Sequence, residues 1–289
     1  MLNANSSFTM SEARIQVLSD LHLETPRSYD IYTITPKAPY LALVGDIGNV
    51  GDAGHREDML AFLAQQLRAF KAVFFVPGNH ESFEATWPEV LSVLRSFEED
   101  TAMRRKEDAA LGAFVLMDRG SFRIPAGDCK DTLVLGCSLF SRVPDERAAA
   151  VEMGLNDFYR TRGWDVAMHN TAHTRDLTWL NNQVTRADDD DSVGDVLILT
   201  HWSPSLDPRA NDPRHAGSSI TSGFSTDLSG EMCMRAEKVA VWASGHTHFN
   251  FDFSMDRGEE MRPLRLLANQ RGYYFSQAPG FDPEKVIEI

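Results

Sequence analysis

Short apolar runs that end in polar, glycine-bearing turns recur along the chain. Residues 15–18 and 40–44 are two such runs, each followed by a turn that carries aspartate. Residues 72–76 read Ala-Val-Phe-Phe-Val, and Pro77-Gly78 stops the run. A run apolar at every position predicts a strand buried on both faces. Leu60, Leu63, Leu67 and Phe70 follow helical spacing, which predicts a helix over 56–70 crossing between parallel strands. Thr86 suits an N-cap with Pro88 in the first turn, so a second helix starts there and runs to about residue 105. Further strands are expected over 113–117, 132–135, 196–200 and 238–243, and a helix over 169–184. The alternation predicts an α/β fold.

A chain of 289 residues with 43% hydrophobic composition can bury a sizeable core, as one large domain or two small ones. No stretch reaches the roughly 18 apolar residues that a spanning helix needs. Residues 1–12 are polar, lack an apolar signal core and read as a flexible tail, which makes the Asn5-Ser6-Ser7 sequon uninformative. The formal charge of −14 repels nucleic-acid phosphate and anionic lipid, so neither is expected as a partner. Cys129, Cys137 and Cys233 have no paired spacing, which points to reduced thiols and a cytoplasmic location. The run Asp188 to Asp191 lacks EF-hand spacing and reads as a solvated acidic loop. Residues 203–230 are rich in Ser, Pro, Gly and Asp, and a loop of that length is expected to be functional or mobile.

Candidate chemistry sits where apolar runs meet turns. Five segments do this: Asp20-Leu21-His22, Gly45 to Asn49, Gly78-Asn79-His80-Glu81, Thr200-His201-Trp202 and Gly245-His246-Thr247-His248. Each supplies carboxylate, imidazole or amide donors suited to hard or borderline divalent metals, and none supplies cysteine. Any one has a plain structural explanation, since Asp and Asn are common turn formers and a single histidine is often a satisfied buried residue. Together they predict a bimetallic centre that activates water.

In order, spacing and strand context these segments resemble the calcineurin-like metallophosphoesterases, with DxH, GDxxN, GNHE, a strand-end histidine and GHxH standing here as quoted. The resemblance covers residues 15–250. It implies a four-layer αββα sandwich, with two mixed β-sheets flanked by helices, over a domain of residues 13–289. It also implies one metal on Asp20, His22, Asp46 and His248 and a second on Asp46, Asn79, His201 and His246, with Asp46 bridging. A shared carboxylate would offset the repulsion between two cations. Residues two apart on an extended chain share a face, which would let Asp20 and His22 reach one ion. The family resemblance makes His80 a catalytic residue facing the substrate, and imidazole suits that work near neutral pH. Many members carry Asp where this chain has Asn49, so Asn49 is expected to orient His80 without adding charge.

The implied activity is hydrolysis of a small-molecule phosphate mono- or diester by a water or hydroxide bridging two divalent ions, Mn²⁺, Fe, Zn²⁺ or Mg²⁺. The alternatives are a non-catalytic binding scaffold on the same fold and a metal-dependent hydrolase of a specialised substrate. Glu81 is expected to support its turn. Asn156 and Asp157 have two readings, as pocket residues or as a helix cap. His169 and His173 are read as a surface or capping face, and Trp202 as packing. Arg209, Arg214 and His215, in the long loop, are candidates for recognising a second part of the substrate.

Overall fold

The computed structural model describes residues 13–259 and 261–289. The tail expected over 1–12, with Asn5, lies outside the described residues. The chain opens with β1 (Arg14–Leu18) and β2 (Tyr40–Val44), followed by α1 (Ala53–Gln66) and β3 (Ala72–Val76). Next come α2 (Trp87–Glu107), β4 (Ala113–Leu116), β5 (Gly120–Ile124) and β6 (Asp131–Cys137). Helices α3 (Ala148–Gly154), α4 (Asp157–Arg160) and α5 (Val166–Asp188) lead into β7 (Val193–Thr200). After a long connection come α6 (Met232–Arg235), β8 (Val239–Ser244), β9 (Phe251–Met255) and β10 (Leu264–Ala268). The ribbon β11 (Gly272–Tyr273) and β12 (Ser276–Gln277) and the strand β13 (Val286–Glu288) complete the fold.

Two mixed sheets result. One has the order β13-β1-β2-β3-β4, parallel except for β13. The other has the order β5-β6-β7-β8-β10-β9, with antiparallel pairs at both edges. Alternation along β2 shows how they stack: Leu41 and Leu43 pack with α1 and α2 residues such as Phe62 and Leu94. Ala42 and Val44 instead meet Leu197, Leu199 and Val241 of the second sheet. The outer face of that sheet is covered by Leu180 and Val184 of α5 and by Cys233 of α6. These are the four layers of an αββα sandwich, and sheets buried on both faces explain the uninterrupted apolar runs.

Local chemistry moved several boundaries. The first helix starts at Ala53 rather than 56 because Asp52 accepts from Gly54 N. The helix expected from 169 starts at Val166, where Asp165 accepts from Met168 N at 2.7 Å. Thr86 caps α2 in a full capping box with Glu89. Strands β5, β9, β10 and β13 were not expected. Three are edge strands, and β5 and β9 alternate between more and less exposed positions instead of forming apolar runs. Asp188 belongs to the end of α5 and Asp190 pairs with Arg123, so the acidic run is only partly a loop. No helix among the described residues is long and apolar enough to cross a membrane.

Phe74 is fully buried between the sheets, against Tyr40 and Phe122. Phe74→Ala is expected to cost about 3–5 kcal/mol, whereas loss of the α2 cap in Thr86→Ala costs about 1 kcal/mol. Urea unfolding of the two variants checks the order; equal losses would contradict the layered core.

Candidate metal centre

The carboxyl ends of β1, β2 and β3 from one sheet meet those of β7 and β8 from the other. Backbone hydrogen bonds extend the strand pairing into the turns: Asp20 N to Gly45 O and His22 N to Asp46 O, both 3.0 Å, and Gly245 N to His201 O, 2.9 Å. Beyond the strands the backbone is not extended. Asp20, His22, Asp46, His246 and His248 all have positive φ, between 47° and 69°. The expectation that Asp-x-His shares a face of an extended chain is therefore corrected: left-handed turns aim these side chains. Asp and His tolerate this region better than branched residues do, and such strain gathers at functional sites. Asn79 is helical in φ and ψ. Two glycines make room for the turns. A Cβ on Gly45 would lie 2.2 Å from His201 Nδ1, and one on Gly78 would lie 2.3 Å from Asp46 Oδ1.

The structure brings together all seven residues proposed as ligands from the sequence. In one group His22 Nε2 lies 3.0 Å from His248 Nε2, which lies 3.3 Å from Asp20 Oδ1. In the other, His201 Nε2 lies 3.4 Å from Asp46 Oδ1 and 3.0 Å from Asn79 Oδ1, with His246 beside them. Asp46 stands between the groups: its Oδ1 faces His201, and its Oδ2 lies 4.0 Å from His22 Nε2. Donors about 3 Å apart suit corners around one ion bound at about 2.0–2.2 Å.

The electrostatics also fit a cation. Burial works against the charge on Asp46, yet His201 and His80 hold its carboxyl well below the usual range. Burial likewise disfavours charge on His201, but Asp46 outweighs it and raises the imidazole to about 10. His246 is held neutral by burial and by His201, and its Nε2 is buried without a hydrogen-bond partner among the described residues. A neutral nitrogen with an unused lone pair beside two carboxylates has the chemistry to hold a metal. His201 Nδ1 lies 2.9 Å from the Val44 carbonyl; donating there aims Nε2 at Asp46 and Asn79, where a bound metal would replace its proton.

Supporting residues hold the donors. Glu81 is fully buried and accepts from Asp46 N, Ile47 N, Gly48 N and Gly78 N. Burial and the Asp46 charge push its carboxyl up to about 8, a rise these amide donors limit. Asn79 Nδ2 donates to Asp157 Oδ1 at 2.8 Å, so the amide oxygen faces His201. Gln270, which sequence reasoning missed, accepts from His248 N at 2.6 Å and donates to Phe249 O.

His80 is held differently from the expectation. Asn49 donates to Phe83 O and accepts from Asp52 N, and it makes no hydrogen bond to His80. Glu24 takes that place, with Oε1 2.8 Å from His80 Nδ1 and 3.3 Å from His22 Nδ1. Burial opposes its charge, but hydrogen bonds with His22 and His80 bring Glu24 down to about 2. Burial also opposes charge on His80, while Asp46 and Glu24 raise it to about 9. The repeated two-residue step Asp20, His22, Glu24 was a usable signal. Tyr273 gave none; it stacks on His22 at 4.3 Å and its hydroxyl lies 3.2 Å from His80 Nε2.

A cleft of about 300 Å³ opens over the centre, lined by His80, Asn156, Asp157, His215, Phe224 and Tyr273 among others. Asn156 makes no side-chain cap bond, so the pocket reading of this pair holds over the capping one. The long connection is folded into 3₁₀ turns, and its Phe224 stacks on His246 at 4.9 Å. Arg209 and Arg214 pair with Asp207 and Asp212 of their own loop and do not line the cleft. Trp202 is packed against Phe140 and His246. His169 and His173 are buried, not on a surface or capping face: His169 Nε2 meets Ser141, and His173 Nδ1 meets the Leu139 and Phe140 carbonyls.

Known proteins are similar to the chain along its length. An uncharacterized protein of Acanthamoeba polyphaga mimivirus is 24% identical over 298 residues, spanning 95% of this chain and 96% of that one. The crystal structure of a phosphopantetheinyl hydrolase from Mycobacterium tuberculosis superposes with a TM-score of 0.65 at 13% identity, over 97% of each chain, and shares the fold. The family model described as calcineurin-like phosphoesterase matches residues 13–250, a span that takes in every donor of the two groups. The chain belongs to the calcineurin-like phosphoesterase family.

Proposed function

We propose that this protein hydrolyses a small-molecule phosphate mono- or diester with two divalent cations at the centre. The observation that carries this reading is Asp46, whose two carboxylate oxygens face two separate donor groups. Asp20, His22, Asp46 and His248 would hold one ion; Asp46, Asn79, His201 and His246 would hold the other. Bound there, divalent cations polarise phosphate oxygens and make water a competent nucleophile near neutral pH.

The chain's own residues do the rest. Glu81 and Asp157 fix the orientation of Asp46 and Asn79, so the donors need no rearrangement. Glu24 fixes the His80 ring, and His80 supplies a localised positive charge to phosphate oxygens in the cleft. Phe224 and Leu155 give the cleft apolar wall, while Asn156, Asp157 and His215 give it polar wall. Metals treat phosphates alike, so the alcohol half of the substrate is chosen by these walls. A formal charge of −14 favours a small substrate over a polyanionic nucleic acid. The similar fold of the phosphopantetheinyl hydrolase supports phosphate-ester chemistry, but at 13% identity it does not choose the substrate.

Protein prepared without chelator should carry close to two transition-metal ions per chain by elemental analysis, and should hydrolyse members of a panel of phosphomonoesters, phosphodiesters and cyclic nucleotides. Asp46→Asn should lose metal and activity together. His80→Ala should keep the metals and lose about 10²-fold or more in kcat. A chain that binds no Mn²⁺ or Zn²⁺ would instead be a binding scaffold.

His215 lines the cleft from the long connection, away from the donor groups. His215→Ala should lower kcat/KM for the best substrate of the panel by about tenfold or more, the worth of one charged hydrogen bond. The loss on p-nitrophenyl phosphate should be far smaller. Equal losses on both would remove this loop from substrate selection.

A further inference from the structure

Several donor side chains of the centre are oriented by hydrogen bonds. His201 Nδ1 meets the Val44 carbonyl, His22 Nδ1 meets Glu24, and Asn79 Nδ2 donates to Asp157. His246 differs. Among the described residues it is hydrogen-bonded at its backbone N, which meets the Asp20 carboxylate, while its Nε2 is buried without a partner. The torsion that turns an imidazole about its bond to Cβ is broad. The angle at which this ring would meet a cation is therefore left to packing.

That packing is aromatic. Phe224 stacks on the His246 ring at 4.9 Å and 27°, and Trp202 lies against it at 4.8 Å. The two are joined, since Trp202 Nε1 donates to Gly223 O at 3.1 Å, one residue before Phe224. Trp202 is fully buried and is backed by Phe140 at 4.6 Å. The backbone of Phe224 is fixed at the neck of the long connection, where the chain leaves β7 and returns. There Ser203 N donates to Phe224 O at 3.3 Å and Thr226 N to Ser203 O at 3.1 Å. Phe224 also packs on the apolar cluster that includes Val151 and Leu155. The tip of the connection is built separately. Asp207-Pro208-Arg209 and Asp212-Pro213-Arg214 repeat one turn, in which each aspartate caps the turn and pairs with its own arginine.

We propose that Phe224 is a positioning residue for His246, so that the neck of the long connection sets how tightly the cation on Asp46, Asn79, His201 and His246 is held. Groups that orient a metal-bound imidazole from behind are worth about 10–100-fold in metal affinity. Here a stacked ring does this work in place of a hydrogen bond. The other donor group is packed by a different ring, since His22 and His248 meet Tyr273 at 4.3 and 4.9 Å. Loss of Phe224 should therefore weaken one ion and spare the other.

The proposal rests on the two-ion reading, and the test separates the two. Zinc-loaded wild type, Phe224→Leu, Phe224→Tyr and Arg214→Ala are equilibrated with graded chelator, and zinc per chain is measured against free zinc. Wild type should hold two ions. Phe224→Leu keeps an apolar side chain on the Val151 and Leu155 cluster. It should release one ion at about 10–100-fold higher free zinc and hold the other as wild type does. Phe224→Tyr restores the stacked ring and should restore the affinity, and Arg214→Ala should match wild type. His246→Ala should weaken the same ion, and adding Phe224→Leu to it should weaken binding no further. In proton spectra of the zinc form, the His246 ring resonances should move in Phe224→Leu as the ring current of the stacked phenyl is removed. Unchanged zinc binding in Phe224→Leu, equal weakening of both ions, additive losses in the double variant or unmoved His246 resonances would each overturn the role. So would a Phe224→Tyr that binds like Phe224→Leu, or an Arg214→Ala that loses zinc. Wild type holding fewer than two ions would overturn the two-ion reading, and the positioning role with it.

Discussion

Everything at this centre follows from burying carboxylates beside one another. Asp20 is fully buried and Asp46 nearly so, close enough that each charge acts on the other. An unpaired buried carboxylate is among the least favourable things a fold can contain. The structure answers with two kinds of partner. Imidazoles surround both groups, the backbone amide of His246 points at Asp20, and that of His80 at Asp46 Oδ1. The metal ions that family membership implies would add a third, so that filling the centre and stabilising the arrangement would be one requirement.

That electrostatic demand shapes the backbone. Donors from five turns must converge on a few ångströms, and turns leaving parallel strands do not do this in extended conformation. The chain uses left-handed residues at Asp20, His22, Asp46, His246 and His248. Gly45 and Gly78 lie where any side chain would strike His201 or Asp46. The two sheets act as a rigid mount, since both are packed on each face and their carboxyl ends meet at one edge. The strain is held by the amide bonds around Glu81 and by Gln270, which brace the turns from behind.

The environment of His80 shows how one role moves between positions. A charged partner at residue 49 is absent, and Asn49 is spent on capping its own turn. Glu24 provides the carboxylate from the neighbouring turn, where it also holds His22. One side chain thereby couples a candidate metal donor to the candidate substrate-facing imidazole, so the two cannot reorient independently.

The sequence by itself determined the α/β character and the donor chemistry. Runs such as Ala72–Val76 declare buried strands because apolarity at every position fits only a doubly covered sheet. Five polar turns with Asp, Asn and His declare a cation site because those residue types have few other reasons to gather. Edge strands such as β5 and β9 were not legible, because half-exposed strands share their composition with loops. His169 and His173 were misread because helical spacing does not tell which face is covered. Only the tertiary structure decided the partners of His80: Glu24 lies 56 residues away in sequence and Tyr273 lies 193 away. Hydrogen bonds act over about 3 Å, and nothing in local periodicity encodes which distant turns the packing of two sheets will bring within that reach.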